Sequence, residues 1–127
     1  MKYYEVELDG ELIRLRLTSG DCITLEEKTK LPILKYIQQT SITTIATLLM
    51  YMRRSDVPNF SMKDASALYD KFIDNGYTME RVVYDVIYEG LVVSGFLSKE
   101  QLEEIKKEVA EAKEQIKTTT KAQITQE

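Results

Sequence analysis

The sequence predicts a mainly helical α+β fold: an N-terminal β-hairpin packed on a bundle of about five to six helices, then a charged C-terminal helix and a disordered tail. Three observations carry that expectation. Apolar and polar residues alternate on both sides of Asp9-Gly10. From Ser19 onward, apolar residues recur at helical spacing between capping residues. After Ser98 the apolar residues narrow to a single seam on a charged helix. The expected divisions are a core domain over residues 1–97, an amphipathic helix over 98–117 and a disordered tail over 118–127.

The hairpin comes first. Tyr4, Val6 and Leu8 alternate with Glu5 and Glu7, and Ile13, Leu15 and Leu17 alternate with Arg14 and Arg16. Asp9-Gly10 between them suits a tight turn that needs two residues at positive φ. Glu and Arg on the polar face are placed to pair across the strands, each pair contributing ~0.2–1 kcal/mol. A lone hairpin is marginal in water, so its apolar face must pack on something.

Helices follow. Ser19 is positioned to cap a helix through Cys22 and Leu25 to about Lys28. Pro32 suits the first turn of a short helix through Ile33 and Ile37. Ser41 opens a helix with Ile42, Ile45, Ala46, Leu49 and Met52 on one side, and residues 55–59 form a loop fixed by Pro58. Ser61 with Asp64 makes a capping-box pattern before Ala65, Leu68, Tyr69 and Phe72, and Asn75-Gly76 closes that helix. Thr78 caps a helix whose Val82, Val83, Val86, Ile87 and Leu91 are apolar enough for a central core helix, and Gly95 stops it. Ser98 and Gln101 form another capping pattern. Beyond it Leu102, Ile105, Val109, Ala112 and Ile116 recur with 3-4-3-4 spacing, the narrow seam of a coiled-coil-like contact, and Glu103 stands one turn from Lys107. The polar stretch after Lys117 has little to bury.

Composition narrows the functional classes. The 127 residues support one domain with a real core, and the net charge is −4. The absence of histidine removes the commonest general base and metal ligand. With one cysteine, Cys22, there is neither an internal disulfide nor a Cys-rich zinc site. No apolar run approaches the ~18 residues of a membrane span, and Met1-Lys2-Tyr3-Tyr4-Glu5 lacks the apolar core of a signal peptide. Mild acidity with scattered basic residues argues against nucleic-acid binding. The expectation is a non-enzymatic cytoplasmic protein without cofactor or metal.

Specific sites point the same way. Aligning Gly76 with the invariant glycine of a calcium loop puts Lys71, Ile73 and Val82 at ligand positions, where carboxylates are required. The dispersed glycines do not cradle a phosphate. As a helix-turn-helix, residues 62–91 would have a recognition helix starting Met79-Glu80-Arg81-Val82-Val83 with Asp85 and Glu89 on its polar side, a poor reader because phosphate repels those carboxylates. Cys22 reads as a small core residue. Tyr36, Tyr51, Tyr69, Tyr77, Tyr84 and Tyr88 suit either the edge of a core or an interface.

Over residues 11–97 the chain resembles the tail assembly chaperones of long-tailed (siphovirus-type) bacteriophages and prophages. The resemblance lies in three blocks: Glu-Leu-Ile-Arg-Leu-Arg-Leu-Thr-Ser over 11–19, running on to Leu25-Glu26-Glu27-Lys28; residues 62–76, with Ala67-Leu68-Tyr69-Asp70 and Asp74-Asn75-Gly76; and residues 78–97, closed by Val93-Ser94-Gly95-Phe96-Leu97. The family usually has Gly near position 30 and Asn-Pro after it, where this chain has Thr29-Lys30-Leu31-Pro32.

The resemblance implies a factor that acts in the host bacterial cytoplasm and is absent from the mature virion. It would bind the phage tape-measure protein, keep it soluble, and help recruit tail-tube protein, mainly through a longer frameshifted product. Such a partner offers apolar helical stripes, to be covered by a helix-in-groove contact. The expected partner-binding residues are Met50, Tyr51, Val57 and Phe60 around the 55–60 loop, with Leu102, Ile105 and Val109 on the seam, which would also serve a homo-oligomer. The alternative is a small acidic phage or prophage regulator acting by protein–protein contact.

Overall fold

Two residues at positive φ, Asp9 (51°) and Gly10 (79°), turn the chain back on itself between β1 (Tyr4–Leu8) and β2 (Glu11–Leu15). That is the type I′ turn Asp-Gly favours, and it fixes an antiparallel register pairing Leu8 with Glu11, Val6 with Ile13 and Tyr4 with Leu15. Glu5 and Arg14 meet across the polar face at 3.7 Å. The computed structural model describes residues 2–126, with side chains described through residue 116. It is mainly helical, with this hairpin as the sheet among the described residues.

The helices are α1 (Ser19–Thr29), α2 (Ile33–Ile37), α3 (Ile42–Arg54), α4 (Met62–Asp74), α5 over residues 79–94, and α6 (Lys99–Gln126). Local hydrogen-bond chemistry sets most of the boundaries. Ser41 caps α3 by accepting from the Thr44 N–H (3.1 Å), and Ser61 and Asp64 close a reciprocal box on α4. Gly76 (φ 91°) and Gly95 (φ 90°) follow α4 and α5 in the left-handed region. The cap of α1 sits one residue earlier than the sequence suggests. Thr18 exchanges hydrogen bonds with Asp21 (3.0 and 3.2 Å), since only Thr18 has the acidic residue three positions on.

The chain divides into two compact units, Met1–Leu97 and Ser98–Glu127. In the first, β2 packs on α3 and β1 on the second half of α5, while α3 also meets α4 and the middle of α5. Leu8, Leu15, Leu17, Leu25, Leu49, Met52, Phe72, Val82 and Leu91 are among its fully buried side chains. At ~1.5–3 kcal/mol for each large side chain removed from water, this core supplies most of the favourable free energy. The one-sided stripe expected for α3 is not what forms. Residues 44–46 and 48–53 are all buried, leaving Ile42 exposed at 51%. A helix covered all round is central, so α3 shares the centre that the sequence assigned to residues 78–91 alone.

Within α5, Met79–Arg81 and Tyr88–Ser94 are α-helical, but Val82–Ile87 forms a π turn, with the Tyr88 N–H bonded to the Val83 carbonyl. The apolar pattern explains the wide turn. Val82/Val83, Val86/Ile87 and Gly90/Leu91 repeat every four residues and all are buried. At 3.6 residues per turn such a repeat drifts about 40° per step off one face. A wider turn keeps the three pairs in register. The Tyr4 hydroxyl donates to the Asp85 carbonyl within it (2.8 Å), anchoring β1 to α5.

The second unit opens with the reciprocal cap read from the sequence: Ser98 N–H to Gln101 Oε1 (2.8 Å) and Gln101 N–H to Ser98 Oγ (3.0 Å). Exposure along its seam rises from 4% at Leu102 to 66% at Ile116. The disordered tail expected over 118–127 falls on positions whose side chains lie outside those described.

Two substitutions test this packing. A Cβ on Gly90 would overlap the Met52 methyl. Gly90→Ala therefore trades ~1 kcal/mol of helix propensity against ~1–3 kcal/mol of overpacking and should destabilise by about 1 kcal/mol. In a Met52→Ala background the same change should become stabilising, as read by a double-mutant cycle in urea. Lys30, which follows α1, holds φ 60° and is exposed. Lys30→Gly removes ~1–2 kcal/mol of left-handed strain and adds ~0.4–1 kcal/mol of unfolded-state entropy, so the urea midpoint should rise by an equivalent of about 0.5–1 kcal/mol.

Candidate functional site

The C-terminal end of α3 and the loop after it are tied together by a set of polar contacts. A helix end leaves carbonyls without intrahelical donors, and here those of Met52 and Arg53 find donors elsewhere. The Met52 carbonyl accepts from the Arg16 N–H (2.9 Å) and the Ser55 hydroxyl (2.8 Å). The Arg53 carbonyl accepts from the N–H groups of Asp56 (3.0 Å) and Val57 (2.9 Å). Arg54 Nε donates to the Phe60 carbonyl (2.8 Å) and pins the far side of the loop. Residues 55–60 are thus a bonded turn that presents Val57, 37% exposed, on its surface.

Arg53 is buried at 7% and spans two elements, donating from Nη1 to Asp56 Oδ2 (2.8 Å) and to the Arg14 carbonyl on β2 (3.3 Å). A buried guanidinium is tolerated only with such partners, and removing one leaves a charge that water cannot solvate. Beside it lies an open cleft of about 210 Å³ between β2 and α4, lined by Ile13, Phe60, Ala67 and Leu68, with Glu11, Arg53, Asp64 and Lys71 also on its walls. Lys71 and Glu11 form an ion pair at 3.0 Å. Asp64 accepts from the Ser61 backbone N–H and hydroxyl, which holds its carboxyl below the ordinary carboxylate range.

The expected partner-binding residues separate by burial. Val57 and Phe60 lie on the loop, exposed and half-buried, and Phe60 lines the cleft. Met50 (8%) and Tyr51 (6%) face the interior rather than a groove. Tyr51, off the apolar stripe, has two cations against it. Lys28 Nζ lies 3.2 Å from its hydroxyl and 5.9 Å from the ring centroid, and the Arg54 guanidinium lies 5.5 Å from that centroid. Leu102 is buried, while Ile105 and Val109 are half-buried, all three on α6 in the second unit. Sequence reasoning missed Arg53, Leu68 and Lys71 as neighbours of Phe60; Leu68 and Lys71 share a helical face, but nothing local ties that face to Phe60.

Tyr36, Tyr51 and Tyr88 are buried and Tyr69, Tyr77 and Tyr84 half-buried, the placement of core-edge side chains. Cys22 is buried, and burial, aided by the Asp21 and Glu26 carboxylates, pushes its thiol up to about 11. It is a thiol at neutral pH and a poor nucleophile. Among the described residues no cluster of His, Cys, Asp or Glu is arranged to hold a metal, and no helix is long and apolar enough to cross a membrane. Compared with family models, curated proteins and solved structures, the chain finds no match.

The Asp64 box gives a pH test. Its depressed folded-state pKa means that the unfolded chain holds this proton more tightly. The contribution is therefore present above the unfolded carboxylate value and lost as pH falls through the folded one. The stability gap between the parent and Asp64→Asn should be largest near neutrality and close on acidification, as read by urea midpoints across that range.

Proposed function

We propose that this chain is a tail assembly chaperone of long-tailed bacteriophages or prophages: a non-enzymatic protein that binds the tape-measure protein, keeps it soluble in the host cytoplasm, and helps recruit tail-tube subunits. The observation that carries this reading is the resemblance over residues 11–97. Its three blocks fall on β2–α1, α4 and α5, so the resembling text covers secondary-structure elements of one compact unit and not scattered loops.

In this reading the partner's apolar stripe engages the 55–60 loop and its cleft. A cleft of about 210 Å³ takes single anchor side chains, and Phe60, Ala67 and Leu68 give it an apolar lining. The walls carry charges of both signs, which suits a helix with mixed charges flanking its apolar stripe. Met50 and Tyr51 act from within by holding the end of α3 beneath the loop. Ile105 and Val109 offer a second apolar stripe on α6, open to a partner helix or a second copy.

Affinity capture of the tagged protein from phage-producing cells, with bound proteins identified by mass spectrometry, tests the proposal. The expected product is a very long, helix-rich phage protein. Its recovery should fall at least tenfold for Val57→Asp combined with Phe60→Ala, with the thermal unfolding curve nearly unchanged. Capture of a host regulatory protein in its place would overturn the chaperone reading in favour of an acidic regulator.

A further inference from the structure

The two margins of the hairpin are not equivalent. In a two-residue type I′ hairpin the closing pair, Leu8–Glu11, exchanges both backbone hydrogen bonds, and such pairs alternate along the ladder. With the observed register, Tyr4, Val6 and Leu8 bond to β2, and the backbone groups of Glu5 and Glu7 point away from it. On β2 the outward groups are those of Leu12, Arg14 and, just past the strand, Arg16. That margin is closed at its Arg14–Arg16 end by α3: Arg53 bonds the Arg14 carbonyl (3.3 Å) and the Met52 carbonyl takes the Arg16 N–H (2.9 Å). The β1 margin has no such closure. Among the described residues, no backbone group of Glu5 or Glu7 is bonded outside the ladder. Val6 between them stays half-exposed, although its cross-strand partner Ile13 is only 3% exposed.

We propose that the open edge of β1 docks an extended segment of a partner chain in which Lys or Arg alternates with apolar residues. A strand laid along β1 would satisfy the outward N–H and C=O groups of Glu5 and Glu7, and its inward side chains would cover Val6. Its outward side chains would stand beside the two carboxylates. Glu5 is already paired with Arg14, but Leu12 stands opposite Glu7, so no cross-strand cation neutralises it. Charge also decides against a second copy. Antiparallel pairing of two β1 strands centred on Val6 would set Glu5 against Glu7 in both directions, and like charges directly opposite are unfavourable. Exposed carboxylates on an otherwise open edge disfavour self-pairing and leave it receptive to a basic strand. The inference does not rest on the chaperone reading.

Titration of the ¹⁵N-labelled full chain with a synthetic Thr-Lys-Val-Lys-Val-Lys-Thr peptide tests it. The expected result is shift changes centred on residues 4–8, with amide exchange at Glu5 and Glu7 slowed at least tenfold and little change at Leu12 or Arg14. Binding should weaken several-fold from low to high salt. Glu7→Lys should lose the basic peptide and gain response to the version with Glu in place of Lys. Equal response of the parent to both peptides, a response centred away from β1, or concentration-dependent dimerisation through β1 would each overturn the proposal.

Discussion

Met52 stands where the hairpin, α3 and α5 converge, and each element makes a separate demand on it. Its side chain is fully buried and its methyl occupies the space that any side chain at residue 90 would need. Its carbonyl, near the end of α3, accepts from the backbone of Arg16 and from the hydroxyl of Ser55. One residue therefore sets the approach of α5, the attachment of β2 and the start of the 55–60 loop. Shifting α3 along its axis would break all three together, because interiors packed at crystal density do not deform continuously. The neighbouring Arg53 reaches the same strand: its guanidinium bonds the Arg14 carbonyl, two residues before the Arg16 N–H that Met52 accepts.

The π turn in α5 answers a related constraint. The four-residue repeat from Val82 to Leu91 must keep Gly90 facing Met52 while Val82 and Val86 stay in the core. A regular α-helix would rotate one end of that stripe away. The wider turn keeps both ends buried, and it brings the Asp85 carbonyl to the Tyr4 hydroxyl. This second tie holds β1 on the face of α5 without using the edge of the strand, which is why the margin at Glu5 and Glu7 remains open.

What the sequence made legible follows the range of the chemistry. Ser41, Ser61 with Asp64, Thr78, and Ser98 with Gln101 act on backbone groups three residues away, and Asp9-Gly10, Gly76 and Gly95 act through their own φ. All of these can be read from a few consecutive letters. Even the π turn left a local trace, in a spacing of four that helical reading smoothed into 3.6. The central position of α3 left none. Tyr51 lies off the apolar stripe and Arg53 interrupts it with a charge, and both are buried with polar partners from outside the helix: Lys28 for Tyr51, Arg14 and Asp56 for Arg53. Periodicity detects burial against aliphatic side chains and passes over burial against hydrogen bonds and cations. For that reason Val57 and Phe60 are recognisable in the sequence as apolar loop residues, while the cleft beside Phe60 and its charged walls are not.

The same distinction separates the two docking features. The open cleft beside Phe60 has an apolar part and walls carrying both charges, which in the proposed function takes single anchor side chains from a helix. The β1 margin offers backbone hydrogen bonds and two carboxylates, so it selects an extended basic segment through main-chain geometry, which a helix cannot supply because its backbone is internally paired. The cleft adjoins β2, and Glu5 and Glu7 lie on the opposite strand. The atoms each would use do not overlap. Substitutions at Phe60 and at Glu7 should then act nearly independently on binding, the behaviour expected of sites without shared partners. A chain carrying both a helical stripe and a basic extended stretch would gain from engaging them together, with the spacing between its two segments setting the effective concentration of the second contact.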